Sequence, residues 1–420
     1  MRRIKNPIIV MLMVLALMTT GCAKNIDHNS TQIEGEKLED GTKKKDITLT
    51  IRGAKDEQEM MQSMLDSFCD AYSSEANIHI NFDAQQEDIL KKELLGNIEN
   101  GPDIFIFPDD QLKALVAAGV LEEVKDADKV KESSTETSIN AAMVNDKLYA
   151  YPLTADNGYF LYYNSDYFTT EDIKSFDRIL EVAEKAGKKV SMEINSAWYH
   201  YAFYGIDGLE VGLNEDGITN YCNWNTNDNA ITGVDVAKGI MKIANHKAFV
   251  NLGDKELVKA IQNGTVIAGI NGIWNSATIK KAWGKGFSAS KLPTYTVAGQ
   301  EVQMISFSGY RFVGVNAYSE NTEWAEKLAQ WLLNEENQTT RYEEAGQVPC
   351  NSKVLSSIEQ SKYPVIAALN AQQEFASLQR LGNAYWSSIP DYGNALLEGN
   401  LSKSEIIQKL DTLVENITAQ

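Results

Sequence analysis

Two adjacent carboxylates, Asp109 and Asp110, follow an apolar run in the segment PDIFIFPDDQ, with the aromatic Phe107 just before them. A pair of acids is what a glycosidase uses, with the two carboxylates flanking the sugar bond at roughly 5–9 Å. Neighbouring side chains on an extended chain point to opposite sides, so at most one of these two faces a given ligand. No second acid is singled out elsewhere, and the segment therefore favours ligand binding over hydrolysis.

Three tryptophans stand among polar or small neighbours, in the strings INSAWYHY, INGIWNSA and GNAYWSSI: Trp198, Trp274 and Trp386. Trp324 and Trp331, by contrast, follow helical spacing and are predicted to be core residues. Flat rings beside Asn and Ser suit a ligand with apolar faces and hydroxyl edges, and a sugar is such a ligand. Burial in the core is the alternative for each of the three.

Common catalytic and metal-binding patterns are missing from the sequence. The four histidines show no i, i+4 pairing, and no G-x-S-x-G, P-loop or G-x-G-x-x-G motif occurs. The polar string NWNTNDN lacks the glycine and the closing glutamate of a calcium loop, so a polar turn before a helix is predicted there. These patterns predict a protein that is not an enzyme and holds no metal or cofactor.

The chain of 420 residues is long enough for two or three domains, and its formal net charge is −19. Such acidity repels nucleic acid, and no basic patch with interleaved aromatics is present, so nucleic-acid binding is excluded. A soluble monomer is expected.

The N-terminus has the layout of a secretory signal peptide, predicted to span 1–21. Arg2, Arg3 and Lys5 precede an apolar run over 7–18, which is too short for a spanning helix. Cys22 follows in MTTGC, where a bacterial lipoprotein would be cut and acylated. An ordinary signal peptide with an incidental cysteine is the alternative. General secretion is favoured over twin-arginine export.

The lipidated Cys22 and the polar stretch after it, 22–45, are predicted to form a flexible tether. We therefore expect an exported protein, lipid-anchored on the extracytoplasmic face of the cell membrane. Of the remaining cysteines, Cys69 is predicted to be a small buried residue, whereas a bridge between Cys222 and Cys350 stays open.

Alternation and helical spacing predict strand, helix, strand, helix, strand from residue 46 to residue 107. The strands are DITLTIRG, NIHINF and DIFIF, with helical spacing over 60–72 and around ILKKELLGNI. This order implies parallel strands with helices packed on the sheet, an α/β fold whose ligands bind at the carboxyl ends of strands. Ser402 and Glu405 have capping-box spacing before the last helix.

Four stretches, in this order and spacing, resemble the extracellular solute-binding proteins of carbohydrate ABC transporters, of the maltose/maltodextrin-binding type: GPDIFIFPDDQLKALVAAGVLEEV, DKLYAYPLTADNGYFLYYNSDYF, NGTVIAGINGIW and NAYWSS. The resemblance implies a two-lobe, periplasmic-binding-protein-like (type II) fold, in which each hinged lobe has a central sheet flanked by helices. It implies lobe 1 over 46–155 and about 312–349, lobe 2 over about 156–308 and 352–420, and crossings near 154–157, 308–311 and 348–351.

The resemblance also implies roles for individual side chains in binding a ligand. The implied stacking residues are Phe107, Trp198, Trp274 and Trp386. The implied polar contacts are Lys55, Asp110 and Asp156, with Tyr199 and Tyr310 as weaker candidates. The sequence departs from the family pattern at three polar positions, Ala54, Gln111 and Ser196.

The expected function is capture of malto-oligosaccharides by lobe closure and delivery to ABC permease subunits with their ATPase. Several stacking platforms, each contributing roughly 1 kcal/mol, favour an oligosaccharide over a monosaccharide. Three alternatives stay open: the same role for another oligosaccharide or a polyol, a sensor that passes closure to a kinase, and a secreted glycoside hydrolase.

Overall fold

The computed structural model describes residues 44–85, 96, 98–214, 216, 218–359 and 362–419. The predicted signal peptide, Cys22 and nearly all of the tether lie outside these residues, as does most of the helix predicted at ILKKELLGNI. The account below concerns the compact unit Lys45–Gln420. No helix among the described residues is both long and apolar enough to cross a membrane.

Sixteen strands occur in the described residues. They are β1 (Lys45–Ala54), β2 (Ala76–Gln85), β3 (Ile104–Pro108), β4 (Met143–Val144), β5 (Lys147–Leu148), β6 (Tyr151–Asn164), β7 (Lys189–Ser191), β8 (Val211–Leu213), β9 (Asn220–Cys222), β10 (Phe249–Val250), β11 (Val266–Gly272), β12 (Phe287–Ser290), β13 (Thr294–Val297), β14 (Gln300–Gln303), β15 (Ser306–Val315) and β16 (Ala376–Leu378).

Fifteen α-helices occur in the same described part of the chain. They are α1 (Gln58–Ala71), α2 (Leu112–Ala117), α3 (Ala127–Ser133), α4 (Glu136–Ala141), α5 (Phe176–Lys185), α6 (Ala197–His200), α7 (Gly233–Ala244), α8 (Asp254–Gln262), α9 (Ser276–Trp283), α10 (Thr322–Leu332), α11 (Glu335–Ala345), α12 (Ser352–Ser357), α13 (Pro364–Gln372), α14 (Asn383–Leu397) and α15 (Lys403–Thr418).

One large sheet runs through the molecule in the order β10-β7-β11-β6-β15-β3-β1-β2, with β12 also paired to β6 and β16 to β15. The predicted parallel pairing at the start of the chain is confirmed, because β1 pairs parallel with both β2 and β3. The long strands β6 and β15 run antiparallel, and their register shifts between Gly309 and Phe312. These two strands connect two halves of the sheet.

Separate apolar cores lie on the two halves of the sheet. The first contains residues of β1 and β3, the start of β6, the end of β15 and helices α1 and α10. The second half is covered on both faces: Tyr159, Leu161 and Tyr163 of β6 pack towards α7, α14 and α15, whereas Phe160 and Tyr162 pack towards α8 and α13. This alternation follows from the two-residue period of a strand. The molecule is therefore a two-lobed α/β protein.

Several local predictions can be compared with the structure. The final helix α15 begins with the predicted capping box of Ser402 and Glu405. Cys222 and Cys350 are free thiols, so the bridge that was left open between them is not formed. Cys69 is half-buried rather than fully buried, although it lies on α1 as predicted.

Candidate functional site

A cleft lies where the two halves of the sheet meet, and its main cavity has a volume of about 1200 Å³. Lys55 and Pro108 line it from the first lobe, and Trp274 lines it from the second. Asp156 of β6 and Arg311 of β15 lie between them. The site therefore stands at strand ends and at the strands shared by both lobes, as expected for an open α/β sheet.

The cleft continues beyond the main cavity through two smaller ones. A cavity of about 370 Å³ shares Trp274 with the first and is also lined by Trp198 and Tyr199. A third, of about 570 Å³, shares Gln379 with the second and contains Trp386. All three tryptophans that stand among polar neighbours in the sequence thus line one extended cleft.

Trp274 is presented to the cleft by the end of β11. The strand is buried along its whole length and ends at Gly272, and a single 3₁₀ turn, Ile273–Asn275, follows. This turn delivers the indole to a strand end, as the sequence predicted. Trp274 is 48% exposed, so about half of its side chain is open to the cleft that it lines.

Trp198 and Trp386 form a stacked pair farther along the cleft. Their ring centroids lie 6.3 Å apart with 26° between the planes, and Phe307 stacks on Trp198 at 5.4 Å. Trp198 lies on the short helix α6 and Trp386 on α14. Both side chains are half-buried, because each packs on the core with one part of its surface. Tyr199, next to Trp198, also lines the second cavity but is only 3% exposed.

Phe107 does not have the predicted stacking role, because it is fully buried. Its ring packs on Phe105 and Phe312 in the first core, with centroids 5.5 and 5.8 Å away. The reason is that β3 lies between β1 and β15, and a central strand is buried on both faces. The next residue, Pro108, reaches the cleft in its place.

The two adjacent acids differ in exposure, although they lie in the 3₁₀ turn Asp109–Gln111 and not on the extended chain that the prediction assumed. Asp109 is buried, and its Oδ1 accepts the backbone N–H of Tyr310 at 3.0 Å, while its Oδ2 lies 3.7 Å from Arg380 Nη2. Burial raises the pKa of Asp109 to about 6, against the lowering effect of the Tyr310 N–H and of Arg380. Asp110 is exposed and lines the third cavity. Asp109 also lines that cavity but is only 1% exposed, so Asp110 is the more accessible of the two acids.

The other predicted polar residues lie in the main cavity. Lys55 is exposed at its wall, directly after β1. Asp156 is 8% exposed and accepts the Thr154 hydroxyl at 2.7 Å, and burial raises its pKa while Arg311 opposes that rise. Tyr310 is buried and stacks on Phe312 with its centroid 6.1 Å away. Burial raises the pKa of Tyr310 to about 12, so this phenol stays neutral.

A buried ion network beneath the main cavity was not predicted. Glu57 accepts hydrogen bonds from Arg311, from Arg341 at 3.2 Å and from Gln347. Arg341 is fully buried. Burial opposes the charge of Glu57, but the two guanidinium groups outweigh it and lower the pKa to about 2. The network ties the 3₁₀ turn that carries Lys55 to β15 and α11.

No sequence signal could have revealed this network, because Glu57 and Arg341 lie 284 residues apart. The described residues contain no group of three or more His, Cys, Asp or Glu placed to hold a metal ion. The cleft is instead lined by indoles, carboxylates and amides, which suits a neutral, hydroxyl-rich ligand.

A two-lobed α/β protein with a ligand cleft at the strands shared by its lobes is of the periplasmic-binding-protein type. The family described as bacterial extracellular solute-binding protein matches residues 67–368, and the chain belongs to this family.

Three known proteins illustrate the relationship. The chain is 29% identical over 290 residues to a galactooligosaccharide-binding protein of Bacillus subtilis (strain 168), covering 67% of this chain and 68% of the relative. It is 24% identical over 347 residues, 77% of each chain, to a maltooligosaccharide ABC transporter solute-binding lipoprotein of Streptococcus pneumoniae serotype 4 (strain ATCC BAA-334 / TIGR4). The structure of maltodextrin binding protein MalE1 from L. casei BL23 matches with a TM-score of 0.77 at 22% identity, over 89% of this chain and 100% of that one. This last likeness shows the fold.

Proposed function

We propose that this protein captures an oligosaccharide in the cleft and delivers it to the permease of an ABC importer. The observation that carries the proposal is the single extended cleft lined by Trp198, Trp274 and Trp386 together with carboxylates at strand ends. A sugar ring has apolar faces that stack on an indole and hydroxyl edges that donate to carboxylates. The cleft offers both kinds of contact along its length.

The magnitude of stacking favours a chain of several sugars. Each covered sugar face would remove about 40 Å² of apolar surface from water, which contributes roughly 1 kcal/mol. Three indoles would then contribute about 3 kcal/mol, or roughly a hundredfold in affinity, provided that one ligand reaches all of them. Asp110 and Asp156 would accept hydroxyl donors, and hydrogen bonds to a charged acceptor are the stronger kind.

Two classes of oligosaccharide are candidates for the ligand. Malto-oligosaccharides are favoured by the family pattern at Trp198, Trp274 and Trp386. Galacto-oligosaccharides are favoured by the 29% identical relative and by the departures from the maltodextrin-type pattern, namely the buried Phe107 and the substitutions Ala54 and Gln111. We place malto-oligosaccharides first because the stacking residues carry most of the expected binding energy.

Isothermal titration calorimetry with maltotriose, maltotetraose, β-1,4-galactotriose and a polyol such as sorbitol tests the proposal. Binding of a malto-oligosaccharide supports the first candidate, and heat only from galactotriose transfers the role to the second. No heat from any of them contradicts oligosaccharide capture. Chromatography of maltotetraose after incubation with the protein tests the glycosidase alternative, since a binding protein returns the sugar intact.

Trp274→Ala should weaken binding of the recognised sugar by about tenfold, since it removes one stacking surface and its packing. Tyr318→Ala is a matched control, because Tyr318 is 49% exposed and Trp274 is 48% exposed, yet Tyr318 does not line these cavities. An equal affinity for the Trp274 variant and the control would contradict the stacking role.

Anchoring through an acylated Cys22 belongs to the same proposal. Stable attachment needs more than one acyl chain, as bacterial lipoproteins carry. Cys22→Ser should therefore move the exported protein from the membrane fraction to the medium and abolish labelling with radioactive palmitate. Palmitate labelling of the Cys22→Ser variant equal to that of wild type would contradict the lipid anchor.

A further inference from the structure

The indole of Trp274 is held from two sides although nearly half of it is exposed. Its Nε1–H donates to Asp254 Oδ2 at 2.7 Å. Its six-membered ring lies over Gly272, where an added Cβ would come within 2.0 Å of the ring atoms. An exposed side chain without such contacts populates several staggered rotamers. The protein itself therefore fixes the orientation of this ring.

The carboxylate of Asp254 is in turn held by its neighbours. Its Oδ1 accepts from Asn271 Nδ2 at 2.7 Å and from the Tyr199 hydroxyl at 3.3 Å. Asn271 is buried, and its own Oδ1 accepts from Asn275 Nδ2 at 2.8 Å. Asp254 is also the first residue of α8, where the helix N-terminus favours a negative charge. Both carboxylate oxygens thus have fixed partners.

We propose that Asp254 is a positioning residue that orients the Trp274 indole as a stacking surface for the oligosaccharide. This inference rests on the proposed function. An N–H donor bound to a carboxylate is held about twice as strongly as one bound to a neutral acceptor. The other residues that hold the indole lie in the segment NGIWN, residues 271–275: Asn271 supplies the buried amide, Gly272 lies under the ring, and Trp274 carries the indole.

Direct binding of sugar hydroxyls by Asp254 is the competing role, because Asp254 lines the second cavity together with Trp274. The two roles predict different coupling between these residues. If Asp254 acts through the indole, its removal has no further effect once the indole N–H is gone. If it binds the sugar directly, the two losses multiply.

A double-mutant cycle measured by calorimetry separates these roles. It compares wild type, Asp254→Ala, Trp274→Phe and the double variant, with maltotriose and β-1,4-galactotriose as probes. Trp274→Phe keeps an aromatic ring but has no N–H. Asp254→Ala should weaken binding of the recognised sugar about fivefold, but less than about twofold in the Trp274→Phe background. Multiplying losses, or an unchanged affinity for Asp254→Ala, would overturn the proposal.

Two further variants serve as a conservative replacement and as a matched control in this cycle. Asp254→Asn retains one acceptor oxygen and should recover part of the affinity lost in Asp254→Ala. It also serves as the test variant if Asp254→Ala does not fold. Glu256→Ala is the matched control, because Glu256 is an exposed acid in the same first helical turn and does not line these cavities. Its affinity should equal that of wild type.

A measurement without sugar keeps this inference separate from the proposed function. In protein labelled with 5-fluorotryptophan, the ¹⁹F signal missing from Trp274→Phe is assigned to Trp274. Asp254→Ala should shift and broaden that signal, whereas Glu256→Ala should leave it in place. An unchanged signal in Asp254→Ala overturns the positioning role. A changed signal in a protein that binds no sugar rejects the proposed function and retains the positioning role.

Discussion

Glu57→Gln should lower the free energy of unfolding by about 3 kcal/mol at pH 7, because it removes the carboxylate that forms ion pairs with both the buried Arg341 and the half-buried Arg311. The side chain of Arg341 is 0% exposed and that of Glu57 is 7% exposed. Removing one partner of a buried ion pair costs about 3–5 kcal/mol, since the other charge stays buried. Glutamine keeps the shape and an acceptor oxygen, which places the loss at the lower end of this range.

The pKa of Glu57 gives an independent value of the same size. In the folded protein it is lowered from 4.5 to about 2, and each pKa unit corresponds to about 1.4 kcal/mol, so the ionised carboxylate contributes on the order of 3 kcal/mol. Because the folded-state pKa lies below the unfolded one, this stability is fully present above pH 4.5. It is lost as the pH falls from 4.5 towards 2.

Urea-induced unfolding followed by tryptophan fluorescence at pH 7, 5.5, 4.5 and 3.5 tests this reasoning. The difference between wild type and Glu57→Gln should be constant from pH 7 to about 5 and should shrink below 4.5. Glu323→Gln is the control, because Glu323 forms an exposed pair with Lys327 and is 78% exposed. It should leave the unfolding midpoint unchanged. A loss below about 1 kcal/mol at pH 7, or a difference that does not shrink in acid, would refute the argument.

Three further variants have defined outcomes. Asp109→Asn should gain stability relative to wild type as the pH rises from 4 through 6, because in this range the carboxyl ionises in the unfolded chain, whereas the folded-state pKa of about 6 keeps it protonated in the fold. Thermal unfolding at pH 4, 6 and 7.5 measures this, and a gain independent of pH would contradict it. Trp386→Ala should weaken sugar binding about fivefold in calorimetry with little change in Tm, and an unchanged affinity would remove Trp386 from the site. Gly272→Ala should reduce affinity as much as Trp274→Ala, because the added methyl group displaces the indole; wild-type affinity in this variant would show that the ring can move freely.

The strands that position the site could largely be predicted from the sequence, because local residue patterns determine where they form. The parallel pairing of β1 with β2 and β3 followed from the order in which predicted strands and helices alternate along the chain. The strand end that carries Trp274 followed from Asn271-Gly272 after an apolar run. The three tryptophans that stand outside any apolar periodicity line one cleft. Trp324, which fits the apolar spacing of a helix, is buried in the first core.

The burial of individual side chains, and hydrogen bonds between residues distant in the chain, could not be predicted in the same way. Residues 104–107 are apolar without alternation, so nothing in the pattern tells that Phe107 is enclosed by β1 and β15 instead of standing at the rim. The network of Glu57 with Arg341 depends on the final packing of α11 against the first turn after β1. The bond between Asp254 and Trp274 likewise joins two elements, α8 and the end of β11, that are separate in the chain.

The contacts that order the cleft tryptophans would affect the free energy available for lobe closure. Trp274 is bonded to Asp254, and Trp198 packs against both Phe307 and Trp386, which also contact each other, so the stacking surfaces of the second lobe are ordered by the protein's own contacts. Ordering a side chain on binding costs about 0.5–1.5 kcal/mol, and a preformed surface avoids that cost. On the proposed function, the free energy of stacking is then available to shift the lobes, because only contacts that differ between the open and closed forms move that equilibrium. Those contacts would come from Lys55 and Asp110, the exposed polar residues that stand on the opposite lobe.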